Sequence, residues 1–143
     1  MLFRSIAGEL KQLGGTIMSH PSIEFAHFGQ TNIARLHPSA TVIDEIHSAN
    51  TKLPTQAIRA IAGAMMFSGD SADKKVSLLS GGEKSRVMLG QILARNVNLL
   101  FLDEPTNHLD MESIEALTEA ITNFEGAVII VTHSEELERK SVV

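Results

Sequence analysis

The 143-residue sequence contains no cysteine, tryptophan or tyrosine, and its only aromatic residues are six phenylalanines. Without cysteine, the chain can form neither a disulfide framework nor a thiolate metal site. Its longest apolar runs, residues 60–67 and 127–131, are far shorter than the roughly 20 residues of a membrane-spanning helix. Seventeen acidic against twelve basic residues give a net charge of −5, which argues against a broad nucleic-acid-binding face. We therefore expect one globular, cytoplasmic domain with no direct membrane insertion.

A glycine-rich turn is the first feature that points to a ligand. Ser80-Gly81-Gly82-Glu83 precedes a helix-like pattern that runs to about Arg95. The first turn of a helix leaves backbone N–H groups unpaired, its dipole favours an anion, and glycine allows close approach. This turn, which we call the signature turn, is therefore a candidate phosphate-binding element, with Ser80 as the helix cap.

Two carboxylates follow an apolar run a short distance further along the chain. Residues 99–102 are Leu-Leu-Phe-Leu, and Asp103 and Glu104 come directly after them. A buried parallel strand delivers side chains to its carboxyl end in this way. Carboxylate oxygens suit Mg²⁺, so the two features together predict a site for a phosphorylated ligand and its metal.

Strand-like and helix-like patterns alternate along the chain and predict an α/β fold with a mostly parallel sheet. The strand-like segments are residues 16–18, 23–28, 99–102 and 127–131, the last expected to be buried. The helix-like segments are residues 1–13, 41–48, a helix opened by Pro54 and Thr55, residues 80–95 and residues 111–123, the last capped by Asp110. The helix after Pro54 would present an apolar face formed by Ala57, Ile58, Ile61, Ala62, Met65 and Met66. Residues 31–38 and 68–75 are interpreted as loops.

Five short motifs, in order, resemble those of ATP-binding-cassette (ABC) ATPases, most closely the F-type (ABC-F) family. They are Phe28-Gly29-Gln30 (Q-loop), residues 79–83 (signature motif), residues 99–104 (Walker B strand), residues 105–110 (D-loop) and Thr132-His133 (switch histidine). The resemblance implies an incomplete P-loop NTPase fold. Residues 1–143 would form a partial nucleotide-binding domain, with residues 31–95 as approximately its helical subdomain.

The resemblance also implies site residues for ATP and Mg²⁺. Glu104 would be the catalytic acid and His133 the second catalytic residue, while Asp103 and Gln30 would hold the metal. The remaining nucleotide-binding residues would be Gln30, Ser80, Gly81, Gly82, Glu83 and Asp110. In the family the signature motif acts on ATP held by an opposing cassette, which implies a head-to-tail partner in the same or a longer chain.

A phosphate-binding loop of the form G-x-x-x-x-G-K-[ST] occurs nowhere in the 143 residues. Such a loop supplies a lysine and a ring of N–H donors to the β- and γ-phosphates. We therefore expect this chain by itself to hydrolyse ATP poorly, as a truncated cassette that lacks the Walker A motif.

Three functional hypotheses stay open at this point. The first is a translation-associated ABC-F-like ATPase whose partner is the ribosome. The second is the nucleotide-binding subunit of a transporter, whose partner is a membrane permease. The third is a non-catalytic fragment that supplies its signature motif to a partner cassette.

Overall fold

A computed structural model describes residues 5–6, 8, 10–11, 13–28, 35–107 and 109–133. Within them, three parallel strands form a sheet in the order β1-β2-β3: β1 (Phe25–Phe28), β2 (Leu99–Asp103) and β3 (Ala127–Val131). Phe28 pairs with Leu102, and Asp103 pairs with Val131. The predicted α/β fold with a parallel sheet is confirmed. Most of the predicted helix at residues 1–13 lies outside the described residues.

In the part of the chain that the structure describes, four complete α-helices accompany the sheet. They are α1 (Val42–Ser48), α2 (Thr55–Ala64), α3 (Gly81–Ala94) and α4 (Met111–Thr122). Two short 3₁₀ helices, Gly69–Asp73 and Val76–Leu78, lie between α2 and α3. No helix in the described part of the chain is long and apolar enough to span a membrane.

Local capping explains where three of these helices begin. Thr41 and Ser80 each form a capping box, in which the side chain accepts from the backbone N–H three residues on and the acid at that position reaches back. The Asp110 carboxylate accepts from Ser113 N–H at 2.8 Å and caps α4. The predicted caps at Ser80 and Asp110 are both confirmed.

The core lies where α3 packs between the other helices and the sheet. The middle of β2 is buried, and so are Val87, Met88 and Ile92 on the inner face of α3. The helix α1 approaches α3 closely at Gly90, where an added Cβ would lie 2.8 Å from Ile46 Cδ1. The helix that follows the signature turn is therefore held by contacts on several sides.

Four local expectations were wrong. Residues 16–18 form no strand, and Ile17 and Met18 are 42% and 90% exposed rather than packed in the sheet. Residues 68–75 are not simply a surface loop, because Gly69–Asp73 is a 3₁₀ helix that buries Ala72. Met66 lies beyond the end of α2, 48% exposed and with φ of +65°.

The fourth concerns β3, which was expected to be buried. Its residues alternate between exposed and half-buried, so one face of this strand, which lies at the edge of the described sheet, is more exposed than the other. Ile129 and Val131 are 44% and 43% exposed, respectively. An apolar strand edge of this kind is able to pair with another strand.

Candidate functional site

The first half of the site lies at the carboxyl end of β2. Asp103 is the last residue of the strand, and Glu104 follows it in the left-handed region with φ of +49°. Its backbone N–H donates to Val131 O at 2.8 Å, which ties the turn to the end of β3. A positive φ is unfavourable for a residue with a Cβ, and such strain concentrates at functional sites. The turn therefore gives Glu104 a different backbone orientation from Asp103.

Glu104 lies against His133, which follows the neighbouring strand. His133 Nε2 is 3.4 Å from Glu104 Oε1, and the His133 backbone N–H donates to Glu104 Oε2 at 3.3 Å. The glutamate side chain is 22% exposed, whereas the imidazole is 95% exposed. Parallel pairing of β2 with β3 brings the two together, since both residues follow strands that end at the same edge. A half-buried carboxylate beside an exposed imidazole can orient a water molecule and accept a proton from it.

The second half of the site is the signature turn. Ser80 Oγ accepts from Glu83 N–H at 3.2 Å, and Glu83 Oε2 accepts from Ser80 N–H at 2.7 Å. The Ser80 hydroxyl acts here as an acceptor, so its own proton remains available to donate to a ligand. The Glu83 carboxylate is engaged in the cap, which is a structural role. Its expected role in nucleotide binding stays a prediction.

The glycines of this turn differ in their surroundings. Gly81 is exposed, and an added Cβ would meet nothing within 4 Å. Gly82 is buried, and an added Cβ would lie 2.7 Å from Asp110 Oδ2. The first helical hydrogen bond is donated by Lys84 to Ser80 O at 3.0 Å, so the N–H groups of both glycines precede it and can face an anion. Gly82 thus allows Asp110 to approach, while Gly81 leaves space for a ligand.

The structure brings the predicted residues together in two groups. Asp103, Glu104 and His133 form one group at the carboxyl ends of β2 and β3. The signature turn and Asp110 form the other group. Among the described residues, no hydrogen bond or ion pair joins the two groups, although the segment at residues 105–109 links them along the chain. Gln30, expected to hold nucleotide and metal, lies outside the described residues, as does His108.

Sequence reasoning missed two buried charged residues. Arg86 on α3 is 6% exposed and contacts both Asp110 and Ser113. Glu45 on α1 is 2% exposed and accepts from the His37 backbone N–H at 2.6 Å and from Gln91 Nε2 at 2.8 Å. Arg86 lies beside Val87 on the inward face of α3. A charged residue next to an apolar, inward-facing position is the feature of the sequence that could have indicated a buried charge.

The carboxylates at the carboxyl end of β2 are of the kind that binds magnesium, but within the described part of the chain no group of three His, Cys, Asp or Glu side chains is placed to hold a metal ion by itself. Asp103 and Glu104 offer carboxylate oxygens, which are the hard ligands that Mg²⁺ prefers. Glu104 already contacts His133, so Asp103 is the better placed of the two to hold a metal. The signature turn, by contrast, offers hydroxyl and N–H donors, which suit phosphate oxygens rather than a cation.

Known proteins resemble the chain over nearly its whole length. A family model described as "ABC transporter" matches residues 1–107. "Probable ATP-binding protein YheS" of Haemophilus influenzae is 36% identical over 141 residues, covering 99% of this chain and 22% of that protein. Mouse "ATP-binding cassette sub-family F member 3" is 36% identical over 138 residues, covering 96% of this chain and 20% of that protein. The chain thus spans about a fifth of the length of the curated relatives it matches.

Solved structures support the same fold. The archaeal ribosome recycling factor in complex with a ribosomal stalk protein matches with a TM-score of 0.76 and 23% identity, covering 97% of this chain and 27% of that one. A dimeric ATP-binding cassette in a post-hydrolysis state with ADP and phosphate matches with a TM-score of 0.67 and 21% identity, covering 82% and 56%. Since the family model covers about three-quarters of the sequence, the chain belongs to the ABC transporter family of ATP-binding cassettes, and it is similar to members of its F-type branch.

Proposed function

We propose that this chain contributes to ATP binding and hydrolysis as part of an ABC-F-like cassette. The observation that carries the proposal is the Glu104–His133 pair, at 3.4 Å, beside Asp103 at the end of β2. ATP hydrolysis needs a residue that orients the attacking water and groups that offset charge on the phosphates. Glu104 and His133 are placed for the first task, and Asp103 would hold the Mg²⁺ that serves the second.

Each residue of this group would have a separate task. Glu104 would hold the attacking water and accept its proton, since its carboxylate is partly shielded from solvent. His133 would hydrogen-bond the water or the terminal phosphate through its exposed imidazole. Asp103 would hold Mg²⁺, which when bound offsets negative charge on the phosphate oxygens. Gln30 is proposed as a further ligand on the strength of the family resemblance.

We further propose that the signature turn serves a second nucleotide, held by an opposing cassette in a head-to-tail pair. The Ser80 hydroxyl and the N–H groups of Gly81 and Gly82 would then bind the terminal phosphate of that nucleotide. The separation of the two groups supports this arrangement, because within the described part of the chain no hydrogen bond or ion pair joins them. In the same scheme, residues 31–95 would form the helical subdomain that carries the turn.

The test of the proposal is ATP turnover by the native protein that carries this chain, purified from its own cells. Glu104→Gln keeps the size of the side chain but removes the base. We expect turnover to fall by about 10²- to 10⁴-fold, the usual contribution of general base catalysis. Glu115→Gln, a change at an exposed position on α4, is the matched control and should leave turnover unchanged. Equal turnover in the Glu104→Gln and wild-type proteins would refute the proposal.

A cytoplasmic, translation-associated role is the favoured setting for this activity. It is supported by the F-type relative and by the likeness to a ribosome recycling factor. Co-sedimentation of the native protein with ribosomes, strengthened by a non-hydrolysable ATP analogue, is the expected result. Co-purification with a membrane permease instead would favour a transporter subunit. A native protein that enhances a partner's turnover without any dependence on Glu104 would favour the non-catalytic role.

A further inference from the structure

Arg86 is a buried cation that links the signature helix to the start of the next helix. Its side chain is 7% exposed. Nη1 donates to Ser113 Oγ at 3.1 Å and to Asp110 Oδ1 at 3.4 Å, and it lies 3.6 Å from Glu112 Oε2. The guanidinium therefore faces three groups in the first turn of α4.

The same guanidinium also contacts the segment that follows α2. Its central carbon lies 5.6 Å from the centre of the buried Phe67 ring, within the range of a cation–π contact. Its Nε is buried and has no hydrogen-bond partner among the described residues. Burying a cation with incomplete pairing is a poor way to add stability, since an apolar side chain of similar size often serves as well. A role in positioning accounts better for the charge.

The groups that Arg86 contacts also touch the signature turn directly. Asp110 Oδ2 occupies the space beside Gly82 into which a Cβ would project. Ser113 Oγ lies 3.4 Å from Gly82 O and donates to it. Hydrogen bonding by Ser113, and to a smaller extent the Arg86 charge, hold the pKa of Asp110 below its usual value. Asp110 is therefore a carboxylate at neutral pH, and its negative charge faces Arg86.

We propose that Arg86 is a positioning residue that fixes the signature turn to the loop ending at Asp110, so that both meet an opposing nucleotide as one unit. This inference rests on the proposed function, in which the turn binds the phosphate of a partner. Arg86 itself touches no substrate in this scheme. It acts by holding Gly82 and Asp110 in register.

The test compares Arg86→Met and Arg86→Lys with Arg59→Met in the native protein. Arg59 is the matched control because its pair with Asp73, at 3.2 Å, is half-exposed on both sides. We expect Arg86→Met to lower kcat for ATP at least tenfold while KM stays within twofold. Arg86→Lys should recover part of the loss, and Arg59→Met should behave as wild type. An unchanged kcat in Arg86→Met would overturn the proposal, even if its Tm fell.

A second variant covers the case in which Arg86→Met does not fold. Ser113→Ala keeps every charge and removes the hydroxyl between Arg86 and Gly82. We expect it to lower kcat by a smaller factor at unchanged KM. Wild-type kcat in both Ser113→Ala and Arg86→Lys would then overturn the proposal.

The Glu104→Gln variant separates this inference from the function on which it rests. If Glu104→Gln retains turnover, the proposed function fails, and the positioning role fails with it. If Glu104→Gln is inactive while Arg86→Met turns over ATP normally, the positioning role alone fails.

Discussion

Gly81 offers the sharpest test of phosphate binding by the signature turn. Replacing it with aspartate adds a carboxylate where the turn is open, since a Cβ there meets nothing within 4 Å. Gly82→Asp would be a poorer choice, because its Cβ would lie 2.7 Å from Asp110 Oδ2 and would disturb the fold. Gly81→Asp therefore changes charge with little change in packing.

The expected effects on stability and on activity have opposite signs. Gly81 is the first residue of α3, where an acid interacts favourably with the helix dipole by about 0.3–1 kcal/mol. A carboxylate roughly 5 Å from a phosphate charge, at an effective dielectric constant of about 20, is repelled by about 3 kcal/mol. That repulsion corresponds to a loss of roughly 200-fold in binding or in kcat/KM. The variant should thus be at least as stable as wild type, while its kcat/KM falls by about two orders of magnitude.

Gly63→Asp is the control for added charge, because Gly63 is also exposed on a helix and has open space at its Cβ position. Gly63 lies in the last turn of α2, where an acid opposes the helix dipole, so we expect a slightly lower Tm for this variant. The assay is kcat/KM for ATP in the native protein, with Tm measured for both variants. Wild-type kcat/KM in Gly81→Asp would refute phosphate binding by the turn. A comparable loss in Gly63→Asp would show that the assay reports added charge in general.

Two further predictions concern stability. Leu117 is fully buried on α4. Leu117→Ala should therefore lower the free energy of unfolding, measured by denaturant titration, by about 2–5 kcal/mol. A decrease of less than about 1 kcal/mol would contradict the described packing. Ser113 and, to a smaller extent, Arg86 lower the pKa of Asp110 in the folded state. The carboxylate therefore contributes stability above its unfolded pKa of about 3.9, and this contribution is lost as pH falls through the lower folded value. Asp110→Asn should flatten the acid limb of a Tm-against-pH curve, and an unchanged limb would contradict the assignment.

Local signals in the sequence identified much of the fold and of the site. Ser80 and Asp110 could be recognised as caps because a cap depends on residues only three positions apart. Asp103 and Glu104 could be placed at a strand end because an apolar run stops directly before them. His133, which was singled out through the family resemblance, lies beside Glu104, because β2 and β3 run parallel and end on the same side of the sheet.

The remaining features depend on contacts between distant residues. The exposure of β3 depends on which elements pack against its two faces, and its own apolar sequence contains no such information. The burial of Arg86 depends on Ser113, which lies 27 residues away on another helix. The positive φ of Glu104 arises in a turn tied to Val131, and Pro105 after it would ordinarily favour extended backbone at that position.

The chemical role of Glu104 is the centre of this account, and the nucleotide that stays bound to Glu104→Gln tests it most directly. The native protein is incubated with radiolabelled ATP and Mg²⁺, freed of unbound nucleotide by rapid gel filtration, and denatured for chromatography. If Glu104 activates the attacking water, the variant retains ATP while the wild-type protein retains ADP. Recovery of ADP from the Glu104→Gln protein in the wild-type proportion would contradict that role.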